Sequence, residues 1–339
     1  MGIAGQTNNF LKHYQYNHGL VKAISKPTIF AVESTNLCNL NCKMCTRREM
    51  KRPVGMMDFG LFRKIVDEAK KGGTEFLILH EMGEPLLHPK ITEMIDYCED
   101  NGIRAGISTN ATLLTEKIGE KLLKSKLSEI TLCMDGATKK TYEKIRQGAN
   151  YETVKKNILR FLEMKKKSGN TRMKAIVQLI EMDETVDEKE KFLEEWKKTS
   201  ADKIFFKKFS TWADQVEGIK ELAGQKHRYM NKLDAKRPPC FIPWQSVVVL
   251  WDGKVVPCCI DFDGKIELGD LTKQTLAEIW NGEPMKKLRK SHIDRKFYGT
   301  CSNCIEYYSY ATSKWYPVAG PFIAQLGKKL FKAKKGKEE

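Results

Sequence analysis

Three cysteines near the start of the chain, Cys38, Cys42 and Cys45, have the spacing Cys-x3-Cys-x2-Cys, which is suited to metal chemistry. A structural zinc ion takes four protein ligands, and no fourth Cys or His lies near enough in the sequence to complete a compact local site. An iron–sulfur cube held by only three thiolates leaves one iron open to a small molecule. The spacing therefore favours a cluster with an open iron over a zinc site or a disulfide.

The second half of the chain contains another group of cysteines: Cys240, the adjacent Cys258 and Cys259, and the pair Cys301-x2-Cys304. Four thiolates from these positions can hold either a zinc ion or a fully ligated [4Fe–4S] cluster. The spacing alone does not decide between a zinc ion and a [4Fe–4S] cluster, or between Cys258 and Cys259 as the ligand.

Between the two groups, short apolar strands alternate with longer helices. Strands are predicted at 28–33, 76–79, 104–108, 129–134, 173–180 and 203–206, with helices at 58–71, 91–100, 116–124, 151–167 and 188–198. This alternation is typical of βαβ units around a parallel sheet. It predicts an α/β fold, a partial (β/α)6 TIM-like barrel that binds its ligands at the carboxyl ends of the strands.

Polar residues follow three of these strands, where such a barrel binds its ligands. Gly83–Pro85 follows the second strand, Ser108 and Asn110 follow the third, and Asp135 follows the fourth. Cys133 alternates with its apolar neighbours and shares a strand face with Asp135. If Asp135 faces the barrel lumen, Cys133 does so too.

From about Thr28 to about Trp212, the chain resembles the radical S-adenosylmethionine (SAM) superfamily. The resemblance rests on the three-cysteine loop after a first strand and on the order of the polar segments that follow it. It implies that Cys38, Cys42 and Cys45 hold a [4Fe–4S] cluster whose open iron binds the amino and carboxylate groups of SAM. Reductive cleavage of SAM would give a 5′-deoxyadenosyl radical that abstracts a hydrogen atom from the substrate.

The resemblance also implies a SAM pocket built from residues near the strand ends. Its members are Met44, Gly83, Glu84, Pro85, Ser108, Asn110 and Asp135. The carboxylate of Glu84 suits the SAM ammonium group through a charge-assisted hydrogen bond. Arg146, in the expected loop after Asp135, is predicted to meet SAM or the substrate. Cys133 is a candidate hydrogen-atom donor, and the alternative is that it only fills space beside the site.

The second group of cysteines resembles the auxiliary-cluster modules called SPASM and twitch. The resemblance rests on the order Cys240, Asp252-Gly253, Pro257-Cys258, Leu268–Leu271, Leu276–Trp280, Cys301-x2-Cys304. A full SPASM module has further cysteines after this pair, and this chain has none after Cys304. The chain is therefore similar to the reduced twitch form of the 2-deoxy-scyllo-inosamine dehydrogenase type. This implies a second [4Fe–4S] cluster, with the ligands Cys240, Cys258, Cys301 and Cys304.

Together, the resemblances imply an oxidoreductase that removes electrons from a carbohydrate, a cyclitol or a lipid-linked sugar through the auxiliary cluster. A flavodoxin- or ferredoxin-like protein would donate the electron that cleaves SAM. One alternative is a maturase of ribosomal peptides, although only about 27 residues precede the first strand and many maturases have a longer leader-binding domain. Another is a non-catalytic iron–sulfur scaffold or redox sensor. Retention of Glu84, Ser108, Asn110 and Arg146 argues against a scaffold, which needs no SAM pocket.

Composition gives the remaining expectations. The chain has 339 residues, 41% of them hydrophobic, enough for one large core and a smaller module. The predicted segments are 1–27 (helical extension), 28–212 (barrel), 213–239 (helical bridge), 240–310 (auxiliary-cluster domain) and 311–339 (tail). Ten cysteines are too few for a disulfide scaffold and no signal peptide is visible, so we expect a cytoplasmic protein. We also expect a monomer.

The net charge of +16 raises the question of an anionic partner. The lysines are spread over helical segments without an aromatic groove, so we expect no nucleic-acid partner. The tail 311–339 combines apolar residues with lysines, a pattern typical of helices that bind an anionic membrane surface. It predicts peripheral contact with the inner membrane surface, and the alternative is a helix that docks on the barrel.

Overall fold

The computed structural model describes residues 3–222 and 237–306 of the chain. The predicted tail 311–339 and residues 223–236 of the predicted bridge lie outside these described residues. None of the helices in the described ranges is both long enough and apolar enough to cross a membrane.

Helices and strands alternate through most of the described chain. The helices are α1 (Ile3–Asn17), α2 (Phe59–Gly72), α3 (Ile91–Asp100), α4 (Glu116–Lys124), α5 (Lys139–Ile145), α6 (Tyr151–Lys167), α7 (Lys189–Trp196), α8 (Leu276–Trp280) and α9 (Glu283–Ile293). The strands are β1 (Ile29–Val32), β2 (Phe76–Ile78), β3 (Arg104–Thr109), β4 (Glu129–Cys133), β5 (Lys174–Glu181), β6 (Lys203–Lys208), β7 (Val247–Val249), β8 (Lys254–Val256) and β9 (Gly269–Asp270).

Local capping explains why the predicted helices form where they do. The Asp58 side chain caps α2 by accepting hydrogen bonds from the backbone N–H groups of Gly60 and Leu61, at 2.7 and 3.1 Å. The helix ends at Gly73, whose φ of 80° is the left-handed geometry that glycine adopts without strain. Helix α6 has the bounds that its sequence pattern predicts.

All nine strands belong to one sheet, in the order β6-β5-β4-β3-β2-β1-β7-β8-β9. Strands β1 to β6 are parallel and form the predicted open partial barrel. Strand β7 pairs in parallel with β1, and the β7–β8 hairpin turns at Asp252-Gly253, a turn expected from the sequence. The sequence did not predict that the C-terminal strands would extend the barrel sheet.

The two faces of the sheet have different surroundings. Residues on one face, such as Leu77, Ile107 and Leu132, belong to the large core that includes the packed helices. A separate small cluster of Ala31, Val248, Leu250 and Val256, with Ile78 against it, covers the opposite face near β1 and β7. The opposite face is the barrel lumen, and its floor in this region is apolar.

Candidate active site and auxiliary-cluster site

The three-cysteine loop follows β1 and packs in its own apolar cluster. Cys42 and Met44 are buried in this cluster, and Cys38 and Cys45 pack against it. The three thiols lie close enough to act on one another electrostatically. Burial raises the pKa of Cys42 to about 11, and the guanidinium of Arg146 opposes this rise. The thiols would therefore stay protonated at neutral pH until a metal displaces their protons.

These residues fit a [4Fe–4S] cluster by their chemistry, since three sulfur ligands come together on one loop. Within residues 3–222 and 237–306, no three His, Cys, Asp or Glu side chains converge on the position of a single metal ion. A cube does not require such convergence, because each thiolate binds a different iron.

The Gly-Glu-Pro turn after β2 is joined directly to the cysteine loop. The Glu84 N–H donates a 2.7 Å hydrogen bond to the carbonyl of Leu37, the residue before the first cysteine. A Cβ atom on Gly83 would lie 2.2 Å from the carbonyl oxygen of Thr35 and 2.6 Å from that of Leu37. Only glycine allows this approach, so Gly83 positions the cysteine loop against the end of β2.

The buried carboxylate of Glu84 joins this turn to the end of β3. One oxygen accepts hydrogen bonds from the Thr109 hydroxyl and the Leu86 N–H, at 2.7 and 3.1 Å. The other accepts the Asn110 N–H at 2.7 Å. The Asn110 side chain in turn donates to the Asn39 side chain in the cysteine loop, at 3.0 Å. A carboxylate has about four acceptor positions, so one remains for the predicted ammonium contact.

Asp135 and Arg146 form a buried ion pair beside the cysteine loop. Both Nε and Nη2 of Arg146 donate to one Asp135 oxygen, at 2.8 and 2.5 Å, and the other oxygen accepts the Ile180 N–H at 2.7 Å. Nη1 of Arg146 lies 3.8 Å from the Cys42 sulfur. The pair therefore places a positive charge next to a predicted cluster ligand.

The segment that leads to Arg146 is a short helix, α5, whereas the sequence predicted a loop. Thr138 caps this helix through its side chain, which accepts the Thr141 N–H at 3.3 Å. This cap was not predicted from the sequence. Arg146 lies at the C-terminal end of α5, and this end turns its side chain inward toward Asp135.

Cys133 lies in the lumen with Ser108, as the strand alternation predicts. The two side chains are 3.1 Å apart, and the Gln178 amide approaches the Cys133 sulfur at 3.8 Å. Burial raises the pKa of the Cys133 thiol, so it remains a neutral S–H group at physiological pH. A neutral thiol that faces the lumen is compatible with a hydrogen-atom donor and also with a residue that only fills space beside the site.

The second group of cysteines also comes together. Burial raises the pKa of Cys258, and the thiols of Cys259, Cys304, Cys301 and Cys240 raise it further. The other three predicted ligands, and Cys259, therefore all lie within electrostatic range of Cys258. The donor set, four thiols without a carboxylate, fits an iron–sulfur cluster.

Two residues that were not predicted from the sequence support this auxiliary site. The buried guanidinium of Arg237 donates to the carbonyls of Cys301 and Cys304, each at 2.5 Å, and so holds the turn between them. The Cys240 N–H donates to Nδ1 of His292 at 3.1 Å. Neither residue belongs to a cysteine motif, so no spacing in the sequence pointed to them.

Arg52 connects the two cysteine-containing regions. Its Nη1 and Nη2 donate to both oxygens of the buried Glu33 at the end of β1, at 2.7 and 2.5 Å. Its Nε donates to the carbonyl of Phe262 at 2.7 Å, in the loop after Cys258 and Cys259. Arg52 therefore holds the segment after the first cysteine loop against the auxiliary site.

A test of the ligand assignment compares the two adjacent cysteines. Cys258→Ala is expected to remove the auxiliary cluster, about four irons per chain, because this sulfur is close to the other three predicted ligands. Cys259→Ala is the matched control and should retain both clusters. Iron analysis and electron paramagnetic resonance of anaerobically reconstituted protein measure the difference. Loss of the cluster only in Cys259→Ala would reverse the assignment.

Comparison with known proteins agrees with this geometry. A model of the radical SAM superfamily matches residues 32–193, and a model of the SPASM iron-sulfur cluster-binding domain matches residues 240–305. The chain is 24% identical over 311 residues to the tungsten-containing aldehyde ferredoxin oxidoreductase cofactor-modifying protein of Pyrococcus furiosus. This alignment covers 80% of the chain and 86% of the relative.

Two solved structures have a similar fold. The structure of BtrN in complex with AdoMet and 2-DOIA has a TM-score of 0.53 and 19% identity, covering 82% of this chain and 92% of BtrN. Streptococcus suis SuiB bound to precursor peptide SuiA has a TM-score of 0.60 and 18% identity, covering 83% of this chain and 69% of SuiB. At these identities, the likeness shows the fold alone.

The radical SAM domain implies a SAM-binding [4Fe–4S] cluster and SAM itself, and the SPASM domain implies auxiliary iron–sulfur binding. These matches confirm the cofactors that the resemblance implied, namely SAM, a cluster that binds it and auxiliary iron–sulfur binding. The two domain models match the regions that contain the two cysteine groups, and they identify a radical SAM domain at residues 32–193 and a SPASM iron–sulfur cluster-binding domain at residues 240–305 of this chain.

Proposed function

We propose that this protein oxidises a small hydroxylated substrate, a carbohydrate, cyclitol or lipid-linked sugar, by radical SAM chemistry. The observation that carries the proposal is the pairing of two cysteine sites in one chain, one with three thiols and one with four. The bound cofactors would supply SAM cleavage, hydrogen-atom abstraction and removal of a second electron. A site with three ligands suits SAM, and a fully ligated site suits electron transfer.

The chain's own residues would hold these groups and organise the reaction. Gly83 and Glu84 fix the position of the cysteine loop relative to β2 and β3, which sets where SAM binds. Arg146 supplies a positive charge beside Cys42, which favours binding of an anionic cluster. Arg52 holds the auxiliary loop near the barrel mouth, so that substrate would bind between the two sites.

A small-molecule substrate is the favoured class. The Pyrococcus furiosus relative, whose alignment covers most of both chains, is named as modifying a cofactor. The fold does not distinguish a small-molecule substrate from a peptide substrate, because BtrN was solved with 2-DOIA and SuiB with a precursor peptide. Peptide modification is therefore the second candidate. We further propose a flavodoxin- or ferredoxin-like electron donor.

The proposal predicts that anaerobically reconstituted protein produces 5′-deoxyadenosine when dithionite and SAM are added. Chromatography of the quenched reaction measures the product. The matched control is the same protein without dithionite, which should form none because cleavage requires an electron. Absence of 5′-deoxyadenosine from protein with both clusters loaded would instead support a scaffold or redox sensor.

A further inference from the structure

Above its apolar floor, the barrel lumen contains three side chains that the SAM pocket does not use. They are His80 and Glu81, which follow β2, and Lys207 near the end of β6. The side chains of β6 alternate, and Ile204 and Phe206 pack against the main core on the helix side. Lys207 therefore lies on the opposite face, toward the lumen.

Glu81 carries a buried carboxyl oxygen without a bonding partner. Its Oε1 is excluded from solvent and has no hydrogen-bond partner among the described residues. Burial raises the pKa of Glu81 to about 8, the Glu33 carboxylate adds to this rise, and Lys207 and Arg52 oppose it. At neutral pH, Glu81 is therefore mostly protonated and does not repel an anion. Such a group is expensive to leave unsatisfied, which points to a ligand that binds it.

His80 is fixed as a neutral hydrogen-bond donor. Its Nδ1 accepts the Ser108 N–H at 3.0 Å, so the proton of the neutral ring resides on Nε2. Burial and, to a smaller extent, the Lys207 ammonium lower the pKa of His80 to about 3. The ring is therefore held by β3 and keeps one N–H group for a ligand.

The curl of the sheet brings Lys207 to the same side of the lumen as these two residues. Strands β2 and β6 are four places apart in the sheet order, and in a flat sheet they would be about 19 Å apart. Nevertheless, the Lys207 ammonium acts electrostatically on His80, Glu81 and Cys133. No described residue forms a hydrogen bond or ion pair with this ammonium. The lumen thus has an unpaired cation within electrostatic range of a thiol and of two groups that can form hydrogen bonds.

We propose that His80, Glu81 and Lys207 form a substrate-recognition site in which Lys207 and His80 bind an anionic phosphate or carboxylate group and Glu81 binds an adjacent hydroxyl. This inference rests on the proposed function, and it restricts the substrate class to hydroxylated compounds that carry an anionic group. The cation gives a charge-assisted hydrogen bond to the anion. The site lies beside Cys133, so a substrate held there would be next to the thiol that faces the lumen.

The test is a binding measurement that does not depend on turnover. Calorimetry on the anaerobic holoenzyme with SAM bound uses three sugar probes, glucose 6-phosphate, glucuronate and glucose, and inorganic phosphate as a fourth probe. We expect at least one anionic probe to bind at least tenfold more tightly than glucose, and the stronger of the two identifies the anionic group. Lys207→Ala should weaken anion binding about tenfold, as expected for loss of a hydrogen bond to a charged group.

Lys208→Ala is the matched control, because Lys208 is the next residue on β6 and points to the other face. This control should bind the anionic probe like the wild type, and Glu81→Ala should weaken binding of the sugar anion but not of inorganic phosphate. The inference would be overturned if glucose and the sugar anions bound equally well, or if neither sugar anion bound. It would also be overturned if Lys207→Ala and Lys208→Ala weakened anion binding equally. The proposed function is tested separately by 5′-deoxyadenosine formation in the wild type, so the two failures are distinguishable.

Discussion

Replacing Cys38, Cys42 and Cys45 together with alanine is expected to remove one cluster and abolish SAM cleavage. Iron should fall from about eight to about four atoms per chain, because the auxiliary thiols remain. The loss of activity should be complete, because these three cysteines are the predicted ligands of the cluster whose open iron binds SAM. Iron analysis and chromatography of 5′-deoxyadenosine measure both effects on anaerobically reconstituted protein.

Cys98→Ala is the matched control for this variant. Cys98 is fully buried in α3 and belongs to neither cysteine group. Its substitution should cost about 1 kcal/mol of stability through lost packing and leave both clusters in place. A triple variant that still holds about eight irons per chain would show that the SAM cluster is assigned to the wrong cysteines.

Removing the guanidinium of Arg146 should have the second large effect. Arg146→Ala leaves the buried Asp135 carboxylate without its cation, which typically costs about 3–5 kcal/mol. It also removes the positive charge 3.8 Å from the Cys42 sulfur, so the cluster held there should become harder to reduce. We expect at least a tenfold loss of SAM cleavage and a lower potential for this cluster, with the auxiliary cluster unchanged. Potentiometric titration followed by electron paramagnetic resonance measures the potential.

Two further variants separate charge from geometry. Arg146→Lys keeps the charge but loses the two-pronged contact with Asp135, so its effect should be intermediate. Arg172→Ala breaks the ion pair with Glu99, in which the arginine side chain is 51% exposed, against 10% for Arg146. This control should change stability by less than about 1 kcal/mol. An unchanged cluster potential in Arg146→Ala would refute the electrostatic role of this residue.

The barrel elements were largely predictable because their signals are local. Helix α6 combines a capping Asn150 with an apolar face, and both are properties of a short continuous segment. The strands β1 to β6 are short apolar runs between such helices, and right-handed parallel crossovers leave few ways to arrange them. Helix α5 was missed because its seven residues are too few to show a helical period.

The sequence by itself determined that Cys38, Cys42 and Cys45 could hold a cluster, because their spacing of a few residues constrains them to one loop. The tertiary structure alone decided which distant groups lie near one another. Arg237 donates to the carbonyls of Cys301 and Cys304, and the curled sheet brings Lys207 within electrostatic range of His80. These interactions join residues more than sixty positions apart. They depend on strand order and sheet curvature, which cannot be predicted from any short stretch of the sequence.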